Sequence, residues 1–97
     1  RPVMLDFYAD WCVSCVEMEQ LTFRDEAVRQ RVQRAVLLQA DVTANNDDDR
    51  ALLARFQLFG PPGILFWNAQ GQPVPQARVV GFQKPEVFVQ ALQQAGL

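Results

Sequence analysis

Val3-Met4-Leu5-Asp6-Phe7-Tyr8-Ala9-Asp10-Trp11-Cys12-Val13-Ser14-Cys15 is the stretch on which the reading of the chain turns. Val3 to Ala9 is a nearly continuous apolar run of strand length, the pattern of a strand covered on both faces. It stops at Asp10-Trp11, and helix-like sequence follows, so the two cysteines fall where a strand hands over to a helix. At a helix N-terminus Cys12 meets unpaired backbone N–H groups and the positive end of the helix dipole. Both favour the thiolate, the species that attacks a disulfide. Cys15, about one turn further on, presents its sulfur on the same face. A disulfide closing so short a loop removes little unfolded-chain entropy, so stabilisation is a weak reason for the pair. Reversible dithiol chemistry is a stronger one: one sulfur attacks a partner's disulfide and the other resolves the mixed disulfide. The alternative is a structural bridge or a pair of inert buried thiols.

Downstream of Cys15, Val16, Met18, Leu21, Phe23, Val28 and Val32 supply apolar positions at mixed three-to-five spacing. A break is expected between Thr22 and Glu26, with Asp25 capping a helix from Glu26 to Gln33. Val36 to Val42 reads as a second buried strand. The polar turn Thr43 to Asp49 can cap and charge a helix from about Asp48 to Phe56. Gly60-Pro61-Pro62-Gly63 is a breaker. Ile64 to Trp67 is a third strand, Asn68-Ala69-Gln70-Gly71 a hairpin-like turn, and Ala77 to Phe82 a fourth strand. Pro85 suits the first turn of a last helix that ends near Ala95 and is closed by Gly96. The order β-α-β-α-β-β-α calls for an α/β fold with a mixed central sheet and helices on both faces.

The 97 residues make one domain, residues 1–97. With 9 Lys+Arg against 11 Asp+Glu the net charge is −2, and no basic stripe is present to neutralise phosphates, so nucleic acid is not an expected partner. The arginines 24, 29, 31 and 34 alternate with Glu26, Gln30 and Gln33, as on a solvated helix face. No apolar run approaches the roughly 18–20 residues of a membrane span, so direct membrane insertion by this segment is not expected. The chain enters a strand directly after Arg1-Pro2, as a piece of a longer protein would. There are two cysteines and no histidine. Cys–His and Ser–His catalysis within the chain are thereby excluded, and a single C-x-x-C cannot complete a zinc site. No metal and no cofactor beyond the Cys12–Cys15 disulfide are expected.

Two further features bear on the cysteines. Gly60-Pro61-Pro62-Gly63 is either a simple loop or a cis X-Pro bond beside the sulfurs; cis accounts for only about 5–6% of X-Pro bonds in folded proteins. Asp6 lies inside an apolar strand, where an unpaired carboxylate is costly. It is either a structural hydrogen-bonder or a proton acceptor for a thiol. Glu17 and Glu19 read first as solvated, but Glu19, four residues after Cys15, can lie near that sulfur. A carboxylate there disfavours the thiolate and raises the thiol pKa, which biases the pair toward a reductant.

Trp-Cys-x-x-Cys after a strand, with Gly-x-Pro before a later one, resembles thioredoxin. The longer stretches Val3-Met4-Leu5-Asp6, Tyr8 to Cys15, Leu38-Gln39-Ala40-Asp41-Val42-Thr43-Ala44-Asn45 and Gln76-Ala77-Arg78-Val79-Val80-Gly81-Phe82 are similar to the C-terminal periplasmic domains of the DsbD membrane electron transporters, and the similarity covers essentially the whole chain. This resemblance implies a thioredoxin-like fold whose usual first strand and helix are absent from this chain. It implies a thiol–disulfide reductase in which Cys12 attacks, Cys15 resolves and Pro62 is a cis-proline facing them. Asp6 and Glu19 become an acidic pair that tunes the site, and Trp11 and Pro61 join Pro62 in partner docking. The implied partners are the transmembrane and N-terminal periplasmic domains of the same transporter, which serve disulfide isomerases and cytochrome c maturation. The implied location is the periplasmic face of the bacterial inner membrane, and the implied state a monomeric domain. Three departures stand out. Val13-Ser14 replaces thioredoxin's Gly-Pro. Pro61 has no N–H to pair with a docked strand. Gly63 stands where Thr is common. Two other readings are a stand-alone thioredoxin-like reductase or oxidase, and a redox-inert binding module on the same fold.

Overall fold

The computed structural model describes all 97 residues. Its sheet is built on β1 (Val3–Tyr8), which pairs in parallel with β2 (Val36–Asp41) and antiparallel with β3 (Gly63–Trp67). β4 (Val79–Val80) adds antiparallel to β3, giving the order β2-β1-β3-β4. The parallel β1–β2 pair needs a crossover, supplied by α1 (Val13–Glu17), a π-helical turn (Met18–Thr22) and α2 (Glu26–Val32). α3 (Asp47–Arg55) joins β2 to β3, and α4 (Pro85–Gln94) closes the chain.

Side chains along β1 alternate between two cores. Met4 joins Met18, Val28, Ile64, Phe66, Phe88 and Leu92 on the α2/α4 face. Phe7 joins Ala9, Cys12, Cys15, Val42, Leu53 and Leu58 on the α3 face. The expected helices on both faces are therefore present. Phe88 is wholly buried, edge-on to Phe23 at 5.6 Å and tilted against Phe66 at 6.4 Å.

Helix ends follow local chemistry. Asp25 accepts from the N–H groups of Ala27 and Val28. Asn46 and Asp49 form a reciprocal capping box at α3. Pro85 opens α4, and Gly96, at φ 88°, ends it. The mixed apolar spacing after Cys15 has a physical cause: the Phe23 N–H donates to the Met18 carbonyl five residues back, at 2.8 Å. The wider turn holds one residue more than an α-helical turn and shifts the following side chains by one position, and the fully buried Thr22 donates to the Gln83 carbonyl just ahead of α4.

Two expectations need correction. β2 is not buried: Val36, Leu37 and Leu38 are exposed, because β2 is an edge strand with β1 as its only neighbour. The fourth strand does not run from Ala77 to Phe82. The Asn68–Gly71 turn forms as expected, with Gly71 at φ 80° donating to the Asn68 carbonyl. The returning chain then carries Pro73 and Pro75, which have no N–H for the ladder. It makes one bridge, Trp67 to Pro73, and a 3-10 turn over Pro75–Ala77, leaving only Val79 and Val80 in β4.

Candidate redox site

The C-terminal ends of β1 and β2 and the start of β3 meet at one end of the sheet, because β1 and β2 are parallel and β3 runs back beside β1. Phe7 pairs with Gly63, so Pro62 and the turn after Tyr8 are brought to that same end. The turn closes with the Cys12 N–H on the Ala9 carbonyl at 3.1 Å, and Cys12 becomes the N-cap of α1.

Cys12 and Cys15 are joined as a disulfide, with Cα atoms 5.2 Å apart. Both are buried, Cys15 the more deeply. The Cys12 sulfur accepts the Cys15 N–H at 3.1 Å, a bond that strengthens if the sulfur carries negative charge. The Cys15 sulfur lies 3.9 Å from the Phe7 carbonyl oxygen, a neighbour that suits a protonated thiol and opposes a thiolate. The two sulfurs are therefore electrostatically unequal. α1 has only five residues before the π-helical turn, so the asymmetry rests on these local contacts more than on a long helix dipole.

The Pro61–Pro62 peptide is cis. Pro62 is buried, and its carbonyl accepts the Gly81 N–H at 3.1 Å. Gly63 has a packing reason to lack a side chain. A Cβ there would stand 2.7 Å from both Leu58 methyls, and Leu58 is buried in the cysteine cluster. Trp11 is exposed, with its indole N–H donating to the Thr43 carbonyl at 2.9 Å.

Asp6 and Glu19 come together in a pocket of about 300 Å³ on the α2 side of the sheet, with Met4, Phe23, Leu37 and Gln39. Neither makes a hydrogen bond to a sulfur; the sulfurs' contacts are those to Cys15 N–H and the Phe7 carbonyl. Burial first and the Glu19 charge second push Asp6 from its ordinary 3.8 up to about 7, partly offset by Gln39 across the β1–β2 pair. An acid raised in the folded state keeps a proton that the unfolded chain releases. Its contribution to stability is full below about pH 4 and is lost as pH rises through about 7. Asp6→Asn is accordingly expected to stabilise the fold by about 1–3 kcal/mol at pH 8, with little change at pH 4. Urea denaturation at the two pH values checks it; an equal effect at both would contradict the assignment.

Two features escaped sequence reading. Phe59 stands wholly in solvent three residues before the buried Pro62. Thr43 ties down the turn ahead of Cys12 through its hydroxyl and its carbonyl. The only signal for Thr43 was its place two residues after Asp41, whose carboxylate accepts the Thr43 N–H at 2.9 Å, the spacing of an Asx turn.

The model of the thioredoxin-like domain family matches residues 1–96. The C-terminal domain of Neisseria meningitidis DsbD, solved in its oxidised form, aligns with a TM-score of 0.80 at 41% identity, covering 98% of this chain and 80% of that one. The chain belongs to the thioredoxin-like domains of the DsbD C-terminal type. A thiol:disulfide interchange protein DsbD from Ralstonia nicotianae is 63% identical over 95 residues, and one from Vibrio cholerae 52% over 97. These matches take in 98% and 100% of the thioredoxin-like chain but 16% of each relative, so the chain spans about a sixth of those proteins. A thioredoxin from Thermus thermophilus shares the fold, with a TM-score of 0.81 at 22% identity. No helix of the DsbD-type domain is long and apolar enough to cross a membrane.

Proposed function

We propose that this domain relays electrons as a protein-disulfide reductase, with Cys12–Cys15 as its sole redox group. The observation that carries the reading is the inequality of the two sulfurs: Cys12 accepts a backbone N–H, whereas Cys15 faces a carbonyl. In the reduced domain the Cys12 thiolate attacks one sulfur of a partner's disulfide, forming a mixed disulfide and releasing the partner's first thiolate. Cys15 then gives up its proton and attacks the Cys12 sulfur. The second partner thiolate leaves, Cys12–Cys15 is oxidised, and two electrons have passed to the partner. Asp6 and Glu19 act on this balance through charge, disfavouring the thiolate and keeping the pair reducing. The same Asp6→Asn variant is expected to lower the Cys12 pKa in a thiol titration.

Kinship with DsbD interchange proteins supports placing the domain within a larger membrane transporter. In that setting it takes electrons from a transmembrane domain, passes them to an N-terminal periplasmic domain, and works as a monomeric unit at the periplasmic face of the inner membrane. Trp11, Phe59 and the Pro61-Pro62 loop form the docking rim. Since neither proline offers an N–H, the rim holds its partners through apolar surface more than through main-chain pairing.

A Cys15→Ser variant tests the relay. It is expected to accumulate a mixed disulfide through Cys12 with the transporter's oxidised N-terminal periplasmic domain, visible as a band that dithiothreitol removes. A variant that forms no adduct with that domain, while Cys12 alkylates normally, would rule out this partner and this order of attack.

A further inference from the structure

Asp10 and Trp11 form the turn that delivers Cys12, and both are held by one residue of a different loop. The Asp10 N–H donates to the Thr43 hydroxyl at 2.9 Å, and the Trp11 indole N–H donates to the Thr43 carbonyl at 2.9 Å. The hydroxyl has one proton to give, and it gives it to the Asp41 carboxylate. That bond, with the Thr43 N–H on the same oxygen, fixes the hydroxyl so that its lone pairs face Asp10. The hydrogen bonds hold Asp41 below its ordinary pKa, keeping the anchor ionised at neutral pH. On the other side of the turn, the Cys12 N–H reaches the Ala9 carbonyl and the Cys12 sulfur receives the Cys15 N–H. Asp41, Thr43, Asp10 and Trp11 thus form one connected line from the end of β2 to the turn that carries Cys12.

We infer that Thr43 is a positioning residue for thiol–disulfide exchange, acting through Asp10 and Trp11 to hold the Cys12 turn and the exposed indole beside it in the attacking arrangement. The inference rests on the proposed role of Cys12 as attacking sulfur. Its physical basis is that Asp10 and Trp11 are exposed and have little packing to hold them, so their hydrogen bonds to one oriented residue add to the Cys12 N–H bond on Ala9 in fixing the turn. Valine matches threonine in shape but can neither accept from Asp10 nor donate to Asp41, whereas serine can do both.

The test compares Thr43→Val and Thr43→Ser with the parent domain, following reduction of a model protein disulfide and of 5,5′-dithiobis(2-nitrobenzoate). In a Trp67→Phe background, Trp11 fluorescence anisotropy is read as well. Thr43→Val is expected to slow both reductions about 3–10-fold, the scale of one or two partly exposed hydrogen bonds, and to lower the anisotropy. Thr43→Ser should stay within about twofold of the parent in each readout. Asp41→Asn, which keeps an acceptor but loses its charge, should slow exchange in the same direction by less. A Thr43→Val domain with parental rates and anisotropy would overturn the inference, as would a Thr43→Ser domain as slow as Thr43→Val. If the parent itself failed to exchange, the proposed function would fall; if only the variants matched it, the positioning role alone would fall.

Discussion

Cys12→Ser is expected to remove disulfide exchange altogether, on the order of 10³-fold or more, the scale of losing an active nucleophile. Serine keeps the N-cap role, since its oxygen can accept the Cys15 N–H that now reaches the Cys12 sulfur. The fold should therefore persist, and the loss should lie in the chemistry: a hydroxyl is not ionised at neutral pH, whereas a capped thiol is readily so. Insulin reduction and circular dichroism on one preparation separate the two effects. Exchange that survived in Cys12→Ser would move the attacking role to Cys15, against the placement of that sulfur 3.9 Å from a carbonyl.

Phe88→Ala is expected to cost about 3–5 kcal/mol, the range for truncating a buried phenylalanine. Phe88 has no exposed surface and touches two aromatic neighbours, Phe66 on β3 and Phe23 after the π-helical turn. Its ring fastens α4 to the sheet and to the crossover in one place. Against a typical total of about 5–15 kcal/mol the loss is severe, and at this size it corresponds to a fall in Tm of roughly 12–30 °C. Guanidinium denaturation gives the value directly. A change below about 1 kcal/mol would mean that the face shared by α2 and α4 is not the main core.

Much of this was legible in the residues. The apolar run into Trp11-Cys12 declared β1 and the cysteine turn, because a central strand needs no polar face. Asp25 and Pro85 marked helix starts through their own hydrogen-bonding or ring chemistry, and the polar turn Thr43 to Asp49 marked a third, whose cap the fold assigns to Asn46. The run Ala77 to Phe82 is cut to Val79–Val80 from both ends: the 3-10 turn opened by Pro75 takes in Ala77, and Gly81 turns the chain at φ 82°. The exposure of β2 was not legible: Val36-Leu37-Leu38 looks buried, and only the strand order reveals an edge. The π-helical turn showed itself only as irregular apolar spacing. Only the family resemblance pairs Asp6 with Glu19, and the pocket that joins them and lifts Asp6 to about 7 depends on how the crossover packs against β1. Thr43 was invisible as a contact because its partners, Asp10 and Trp11, lie more than thirty positions away.

The equilibrium reduction potential of the Cys12–Cys15 pair, measured against a dithiol buffer of known poise, decides the reductase assignment. An electron donor to more oxidising periplasmic disulfides should lie well below about −200 mV, since about 30 mV corresponds to 1.4 kcal/mol for this two-electron couple. A value near about −120 mV, where strong dithiol oxidants lie, would contradict the reductase assignment and leave only the fold.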